Sequence, residues 1–339
     1  MDIVLSAVVM THPRRMAAAQ ELRRRHPELD LGIIVDPDPD GPPDPLRTAR
    51  LAWRSVRPGA THHLVIQDDM VLVDGFAGHV RAAAEAMPSD PLCFFSEWGS
   101  RTSHAVRLAA LAGASWTPVL DPYVPTAVHL IPAALSHLLG DLAAEGPDDV
   151  AMLGFVREHG LTPLVSVPNL AQHAPAHSLV GNDLIMGPRR STWWDRPQRT
   201  LDDTVLRPRH VPHLLMFEGL AICHVRRADS WEPVRAHDFL QERAGVTLPE
   251  LLDAFSSEMD SALREVAGEP LLLQLWLTAL LYGFVAGGRP PDGPWRTFAP
   301  GALRRFVPVS RLDQLSGLVT PLLESAIKFG SSIGKNPSN

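Results

Sequence analysis

This sequence is poor in lysine and cysteine and has no excess of positive charge. Lys328 and Lys335 are its only lysines, the other basic residues are arginines, and the formal net charge is -7 over 339 residues. A nucleic-acid-binding surface needs clustered basic side chains to neutralise phosphates, so this balance indicates no nucleic-acid partner. With 45% hydrophobic residues the chain can bury a large core, which favours a globular protein that acts on small molecules.

The two cysteines, Cys93 and Cys223, lie far apart in the chain. Their spacing fits neither a disulfide framework nor a CxxC metal site. At the N-terminus, Asp2 stands where a signal peptide would carry positive charge, and the apolar run that follows is short. These features predict a cytoplasmic protein whose chain opens on a strand.

The longest apolar run lies in the second half of the chain, where no charged residue stands between Glu269 and Arg289. This run, PLLLQLWLTALLYGFVAGG, approaches the length that spans a bilayer. Pro270, Gln274 and the Gly287-Gly288 pair shorten its apolar part, and no second such run accompanies it. We therefore predict a buried helix and no membrane span.

Strand and helix patterns alternate along the first half of the chain. The run IVLSAVVM at 3–10 is followed by a helix start at Thr11, His12 and Pro13, and HHLVIQ at 62–67 is another apolar strand. This alternation predicts an α/β fold, whose ligands gather at the carboxyl ends of the strands. Three further strands are predicted: one that ends at Asp36, one at 91–96 and one at 124–131. The first helix is predicted to run to about residue 25, and further helices are predicted at 45–57, 102–113, 132–144 and 148–159.

Helical patterns dominate after about residue 240, and the clearest is TLPELLDAFSSEMDSALREVAG at 247–268. Thr247 and Glu250 have the spacing of a capping box, and Gly268 can end the helix. The sequence therefore predicts one helix over this stretch. Its apolar face would consist of Leu251, Leu252, Phe255, Met259, Leu263 and Val266.

The composition also changes near residue 185, where a stretch rich in Trp, Arg and Pro begins. We predict a first domain over 1–185 and a second over 186–339, which is mixed at first and then mostly helical. The second domain would shape an acceptor site or form contacts in a homo-oligomer.

Two adjacent carboxylates, Asp68 and Asp69, interrupt the apolar stretch HHLVIQDDMVLV. Neighbouring carboxylates repel each other and resist burial, so solvent, a helix N-terminus or a cation must compensate them. A hard cation such as Mg²⁺ or Mn²⁺ binds one or two carboxylates together with substrate phosphates. The alternative is a solvated turn in which one Asp caps the next segment. The apolar continuation MVLV favours the edge of a core and hence the cation.

The stretch Gln67-Asp68-Asp69 resembles the short acidic motif, usually DxD, of nucleotide-sugar glycosyltransferases of the A-type (GT-A) fold, with Gln67 in place of the first acid. The resemblance covers roughly residues 1–185 and implies a Rossmann-like mixed sheet flanked by helices. It also implies that Asp69 holds Mn²⁺ or Mg²⁺ and that Gln67 and Asp68 belong to the donor site.

Other stretches resemble further parts of the same fold. VVMTHPRR is similar to the first strand and loop, which implies that Thr11 and Arg15 contact the nucleotide. Asp36, at the end of the second strand, corresponds to an acid that contacts the base or ribose. Glu97 and Trp98, in FFSEWGSR after a predicted strand, would line the sugar pocket; the alternative is an ordinary capped turn.

The segment GPDDVAMLGFVREHGLTPLVSVPNLAQHAPAHSLVGN resembles the end of the catalytic domain in several such families. The resemblance implies that Asp149 is the catalytic base, that Asp148 is its neighbour in the catalytic site and that His173 is a further metal ligand. Acids in the first turn of a helix are favoured by the helix dipole whatever the function, which is the alternative for the two aspartates. His177 competes with His173 for the metal role.

The resemblance as a whole implies a glycosyltransferase. It would move a sugar from a nucleotide-diphosphate sugar to a hydroxyl or amine of a small-molecule or glycan acceptor, with inversion if a carboxylate reaches the acceptor and retention if none does. Two alternatives stay open. A metal-dependent nucleotidyltransferase acting on a sugar phosphate would normally have a Gly-rich loop after the first strand, where MTHPRR has no glycine. A non-catalytic scaffold would explain Gln67.

Two other patterns resemble metal sites but do not have the ligands or spacing that those sites need. DPDPDG at 36–41 opens like a calcium loop, but Arg47 stands at the twelfth position, where a bidentate Glu belongs. Imidazole and thiolate groups in the second half of the chain hint at zinc, but their spacing matches no standard site. These residues are His210, His213, Cys223, His224 and His237.

Overall fold

The computed structural model describes residues 2–174, 186–228 and 230–334, which form two compact units. The units exchange segments along the chain, and the domains 1–185 and 186–339 stay a prediction. Within the described residues, unit 1 comprises 2–96, 114–174 and 193–205, and unit 2 comprises 97–113, 186–192, 206–228 and 230–334.

Unit 1 is built on a seven-stranded mixed sheet of order β2-β1-β3-β7-β5-β8-β6, with β4 and β9 paired separately. Helices connect the strands, so the predicted α/β class is confirmed. The strands are β1 Leu5–Thr11, β2 Gly32–Val35, β3 His62–Gln67, β4 Met70–Leu72, β5 Leu92–Cys93, β6 Trp116–Pro118, β7 Val128–Pro132, β8 Leu164–Ser166 and β9 Ala171–His173. The helices of unit 1 are α1 Met16–Arg25, α2 Pro45–Arg54, α3 Phe76–Ala86, α5 Ala133–Gly140 and α6 Asp148–Glu158, and α4 Arg101–Ala112 belongs to unit 2.

The second and third strands of the sheet are β1 and β3, which are parallel and in register from Leu5 opposite His62 to Met10 opposite Gln67. Almost every residue of both strands is buried, because the apolar runs are covered on both faces. Parallel strands in register end at the same edge of a sheet. The residues that follow Met10 and Gln67 therefore come together.

Two buried histidines of unit 1 have hydrogen-bond partners in β1 and α2. His63 lies 2.9 Å from Ser6 Oγ and 2.8 Å from the Ala52 carbonyl oxygen, and His129 Nε2 accepts a hydrogen bond of 2.9 Å from the Trp53 indole N–H. Burial lowers the pKa of both histidines to about 4. These rings are neutral structural groups.

Unit 2 combines an antiparallel sheet of order β10-β11-β12 with helices. A Cβ at Gly283 would overlap the Ile327 carbonyl oxygen, so the two longest helices approach each other closely only because glycine stands there. The strands are β10 His210–Leu215, β11 Leu220–Arg227 and β12 Ser230–Arg235. The helices after β12 are Ala236–Ala244, Leu248–Glu258, Ser261–Val266, Glu269–Ala286, Asp292–Arg296, Phe298–Leu303 and Leu312–Gly334.

The single helix predicted over 247–268 is wrong, because the chain breaks into two helices there. Met259 is extended, and the Asp260 side chain accepts a 2.8 Å hydrogen bond from the Leu263 N–H, which caps a new helix. Leu252 is 39% exposed and so leaves the predicted apolar face. The Glu250 contact to the Thr247 N–H at 2.7 Å confirms the predicted capping box, and the side chain of Val266 lies outside the described part.

The long apolar helix Glu269–Ala286 has most of its central residues buried inside unit 2. Its length and composition are also those of a helix that can cross a membrane, and 56% of it is buried. The burial agrees with the predicted core helix. The absence of a membrane span stays a prediction.

Candidate active site

The acidic pair lies at the shared carboxyl edge of β1 and β3. Thr11, the last residue of β1, donates its hydroxyl to Asp68 Oδ2 at 2.5 Å. Arg15 Nη1 lies 3.2 Å from Asp68 Oδ1 and 3.2 Å from Asp69 Oδ2. The cation that compensates the adjacent carboxylates in the structure is therefore a guanidinium of the same chain.

The turn after β1 positions Arg15. His12 Nδ1 accepts a 3.1 Å hydrogen bond from the Arg14 N–H, and Pro13 begins a short 3-10 helix, Pro13–Arg15. Proline lacks an N–H and has a fixed φ, so it suits the first position of such a turn. The turn directs Arg15 back over the end of β3, where it meets both acids.

A separate strand pair brings His173 to the acidic pair. Met70 pairs with His173 in the antiparallel β4–β9 ladder, and the Ala174 N–H donates to the Asp69 carbonyl oxygen at 2.7 Å. His173 Nδ1 lies 3.5 Å from Asp69 Oδ2, and its ring packs edge-to-face on Phe95. The structure thus brings together two residues that the sequence nominated as metal ligands from distant parts of the chain.

The electrostatics of this group depend on burial and on the adjacent charges. Asp68 is 8% exposed, and its pKa is raised mainly by burial and further by Asp69, while hydrogen bonds from Thr11 and Arg15 oppose the shift. One guanidinium nitrogen of Arg15 contacts both acids, which places it where their two negative charges meet. A cation is favoured at this position.

Asp69 and His173 are the side chains that fit a divalent cation. Among the described residues, no three or more His, Cys, Asp or Glu side chains form a group suited to a metal. Mg²⁺-type cations commonly use one or two protein ligands and complete their shell with water and substrate phosphates. A carboxylate and an imidazole 3.5 Å apart suit this second kind of site. Asp69 Oδ2, however, is also the oxygen that Arg15 contacts.

Asp36 follows β2 and is joined to β1, because its N–H donates to the Thr11 carbonyl oxygen at 2.9 Å. Arg47 donates to both Asp36 carboxylate oxygens, at 2.8 and 3.0 Å, and this pairing lowers the pKa of Asp36. Arg47 also lies 3.6 Å from Asp38. Arg47, which stands where a calcium loop would have Glu, is thus the cation that pairs with the acids of this loop. No sequence motif indicated this role.

Asp148 lies in the first turn of α6 and is buried. Thr126 donates its hydroxyl to Asp148 Oδ2 at 2.8 Å, and burial raises the pKa of Asp148 to about 6. Thr126 precedes Ala127, whose carbonyl oxygen accepts the Gln67 N–H at 2.8 Å. Asp148 is therefore close to the end of β3, and Thr126 is a contact that no sequence motif indicated.

Asp149, the predicted base, is less buried than Asp148. Its carbonyl oxygen accepts a 3.1 Å hydrogen bond from the Val124 N–H, and its carboxylate accepts the Val150 N–H at 2.8 Å. The first turn of α6 thus holds two carboxylates in different surroundings. Asp148 has the environment that tunes a base towards neutral pH.

Trp98 belongs to unit 2 and is 2% exposed. Its indole N–H donates to the Pro188 carbonyl oxygen at 2.9 Å, and Arg190 lies 5.3 Å above its ring. Glu97 forms an ion pair with buried Arg304. These contacts lie within unit 2, whereas the acidic pair belongs to unit 1. His177, the competing ligand, lies outside the described residues.

A second buried polar group occupies the interior of unit 2. His213 Nδ1 lies 3.0 Å from His224 Nε2, and the His104 ring lies 5.1 Å from that of His213. His104 Nδ1 is 2.7 Å from the Tyr282 hydroxyl. These histidines include two from the rejected zinc pattern, and they are engaged with each other and with the tyrosine.

A scan against protein-family models and a search of curated proteins find no match to this chain. The resemblance to a family therefore depends on short motifs. Among them, the strand-end pair Asp68-Asp69, the loop residue Arg15 and the strand that ends at His173 meet in one place.

Proposed function

We propose that this protein is a glycosyltransferase that moves a sugar from a nucleotide-diphosphate sugar to a hydroxyl or amine. The observation that carries the proposal is the convergence of Arg15, Asp68, Asp69 and His173 at the carboxyl ends of parallel strands. Ligands of α/β sheets bind at that edge. A guanidinium that can pair with phosphate and a carboxylate–imidazole pair that can hold a cation are the two groups that a metal-bound diphosphate requires.

In this proposal Asp69 and His173 hold Mg²⁺ or Mn²⁺, which would stabilise the negative charge of the departing diphosphate. Arg15 binds the same phosphates, because its planar guanidinium can donate two parallel hydrogen bonds. Asp36 accepts hydrogen bonds from the nucleoside, and its pairing with Arg47 keeps it ionised at neutral pH.

The acceptor side of the proposal rests on the first turn of α6. Asp148 or Asp149 takes the proton of the acceptor hydroxyl while the acceptor oxygen bonds to the anomeric carbon and the bond to the diphosphate breaks. Asp148 is favoured, because a pKa raised to about 6 leaves the group ionised at neutral pH and more basic than an ordinary aspartate. Direct displacement of this kind inverts the anomeric carbon.

The A-type fold and a mostly helical C-terminal domain are part of the same proposal. The mixed sheet of unit 1, with β1, β2 and β3 parallel at its edge, supports the first. The run of helices after β12 supports the second. The C-terminal domain would contribute to acceptor binding or to homo-oligomer contacts.

Hydrolysis of the donor provides a test that needs no knowledge of the acceptor. Purified protein is incubated with a panel of nucleotide-diphosphate sugars plus Mn²⁺ or Mg²⁺, and release of nucleoside diphosphate is measured by chromatography. We expect slow release from one donor and loss of release with EDTA. Formation of pyrophosphate from a nucleoside triphosphate and a sugar phosphate would instead identify a nucleotidyltransferase, and absence of all nucleotide binding would identify a scaffold.

A further inference from the structure

Arg15 occupies a position that a bound cation would also need. A single nitrogen, Nη1, is 3.2 Å from an oxygen of each acid, and the oxygen of Asp69 that it contacts also faces His173. A divalent cation that lies between His173 Nδ1 and the Asp69 oxygen facing it would therefore meet the guanidinium at that oxygen. Two positive groups cannot share it closely without strong repulsion.

The charges of the group indicate what happens to Arg15 when a cation binds. Asp68 and Asp69 carry the same sign of charge as a diphosphate and repel it, and Arg15 contacts both acids. A divalent cation at Asp69 offsets the charge of that acid and competes with the contact between Arg15 and Asp69 Oδ2. A bound diphosphate is then an anionic partner to which the planar guanidinium can turn.

Arg15 is not enclosed by the sheet. Its side chain is 16% exposed, so part of it contacts solvent. It extends from a three-residue turn and not from the interior of the sheet, so a change of partner requires rotation about side-chain bonds only. A fully buried arginine would have no such freedom.

We propose that Arg15 competes with a divalent cation for Asp69, and that it turns to the diphosphate of the donor when the cation binds. This inference rests on the proposed function. It makes Arg15 a positioning residue that couples cation binding to diphosphate binding, so that each ligand strengthens the binding of the other.

Titration with Mn²⁺ alone, followed by electron paramagnetic resonance and calorimetry at about pH 8, tests the competition. We compare the wild type with Arg15→Gln and with Arg14→Gln, which removes the same charge from an exposed neighbour in the same turn. Arg15→Gln should bind Mn²⁺ about tenfold more tightly, because a competitor and a repelling charge are removed. Arg14→Gln should bind Mn²⁺ as the wild type does.

A second titration tests the change of partner. Inorganic pyrophosphate is added to each protein at saturating Mn²⁺, so that the identity of the nucleoside does not matter. Arg15→Gln should bind pyrophosphate about tenfold more weakly than the wild type. Arg15→Lys keeps the charge but lacks the planar guanidinium. It should bind Mn²⁺ like the wild type and pyrophosphate more weakly. This variant replaces Arg15→Gln if the glutamine variant does not fold.

Unchanged or weaker Mn²⁺ binding in Arg15→Gln would overturn the inference, as would a wild type and variant that both fail to bind Mn²⁺. Hydrogen exchange of the β1 and β3 amides verifies that the variants are folded. The proposed function fails separately, by the absence of donor hydrolysis in a protein that still shows the expected Mn²⁺ competition.

Discussion

Each unit of this protein contains an arginine in polar surroundings, and the two arginines differ in what they contact. Arg15 in unit 1 is partly accessible and faces two carboxylates at the end of the sheet. Arg107 in unit 2 is fully buried and donates to neutral oxygens. These acceptors are the carbonyl oxygens of Trp98 and Pro294 and the hydroxyls of Ser103 and Thr297, at 2.8 to 3.1 Å.

The difference separates a structural group from one that can bind a ligand. The acceptors of Arg107 are fixed backbone and interior hydroxyl oxygens. The Ser103 and Thr297 hydroxyls also donate to the Trp98 and Pro294 carbonyl oxygens, so losing the arginine would remove one donor from each and leave a cavity. The partners of Arg15 are charged groups at the edge of the sheet. Another cation can replace Arg15 beside the two acids, and an anion can replace the acids beside Arg15. The same contrast holds between His173, beside Asp69, and the enclosed pair His213 and His224.

The largest expected effect of a single substitution comes from Arg107→Ala, which should destabilise unit 2 by about 4 kcal/mol, because it leaves a cavity and takes one donor from several buried acceptors. Native-state hydrogen exchange of the amides in α4 measures the free energy of opening. Arg311→Ala removes an exposed arginine from the same unit and should change that free energy by less than about 0.5 kcal/mol. Equal effects of the two substitutions would show that the Arg107 network is not structural.

Acidification should destabilise unit 2 more than unit 1. Burial lowers the pKa of His224 to about 3 and those of His104 and His213 well below the ordinary value. The unfolded chain takes up protons on these rings below about pH 6.5 while the folded unit does not, so stability present above that pH is lost as the pH falls. The expected loss between about pH 7 and about pH 5 is on the order of 2 kcal/mol for each histidine that stays neutral in the folded unit.

Unit 1 also buries histidines, but two of its acids act in the opposite direction. Asp68 and Asp148 have raised pKa values, so the folded unit takes up protons before the unfolded chain does, and this stabilises it as the pH falls towards the ordinary aspartate pKa. Hydrogen exchange in β3 and in Glu269–Ala286 at both pH values compares the units. Earlier loss of protection in β3 would contradict the prediction.

Asp69→Asn should reduce donor hydrolysis about 100-fold, because the amide carries no charge for a cation. The fold of unit 1 should change little, since the substitution is isosteric and relieves repulsion with Asp68. Asp74→Asn alters an exposed aspartate shortly after β4 and is the matched control, with activity like that of the wild type. Comparable losses in both variants would remove the acidic pair from the proposed site.

The smallest expected effect is that of Thr126→Val. The Thr126 hydroxyl favours the ionised form of Asp148, so its removal should raise the pKa of Asp148 further. If Asp148 is the base, the acid limb of the rate profile moves to higher pH, with a loss of up to about tenfold near pH 6 and little change near pH 8. An unshifted acid limb would favour Asp149 as the base.

Several elements could be predicted from the sequence because their signals are local. β3 was predicted at its observed bounds, since HHLVIQ is a continuous buried run ended by acids. α6 begins at Asp148, as its acidic first turn indicates. The strand predicted at 91–96 is only Leu92–Cys93 in the structure. Phe94 still donates to the Val128 carbonyl oxygen, but its own carbonyl oxygen accepts from the N–H groups of Leu170 and Ala171, which lie outside β8.

The site could be predicted in part. The order of Asp69 and His173 along the chain nominated both residues, and Arg15 was nominated for the nucleotide. The contacts of Arg15 with Asp68 and Asp69 could not be predicted, because they join residues more than 50 positions apart and depend on the parallel register of β1 and β3. An acidic loop such as 36–41 signals the need for a cation, but its sequence does not say that Arg47 supplies it.

The sequence by itself determined the α/β class, most element positions and the types of side chain at the strand ends, because hydrophobic periodicity and helix caps act over a few residues. The tertiary structure alone decided which charges meet. Hydrogen bonds and close ion pairs act over only a few ångströms, so Arg15 became the partner of Asp68 and Asp69, and His173 their neighbour, only when the strands were aligned.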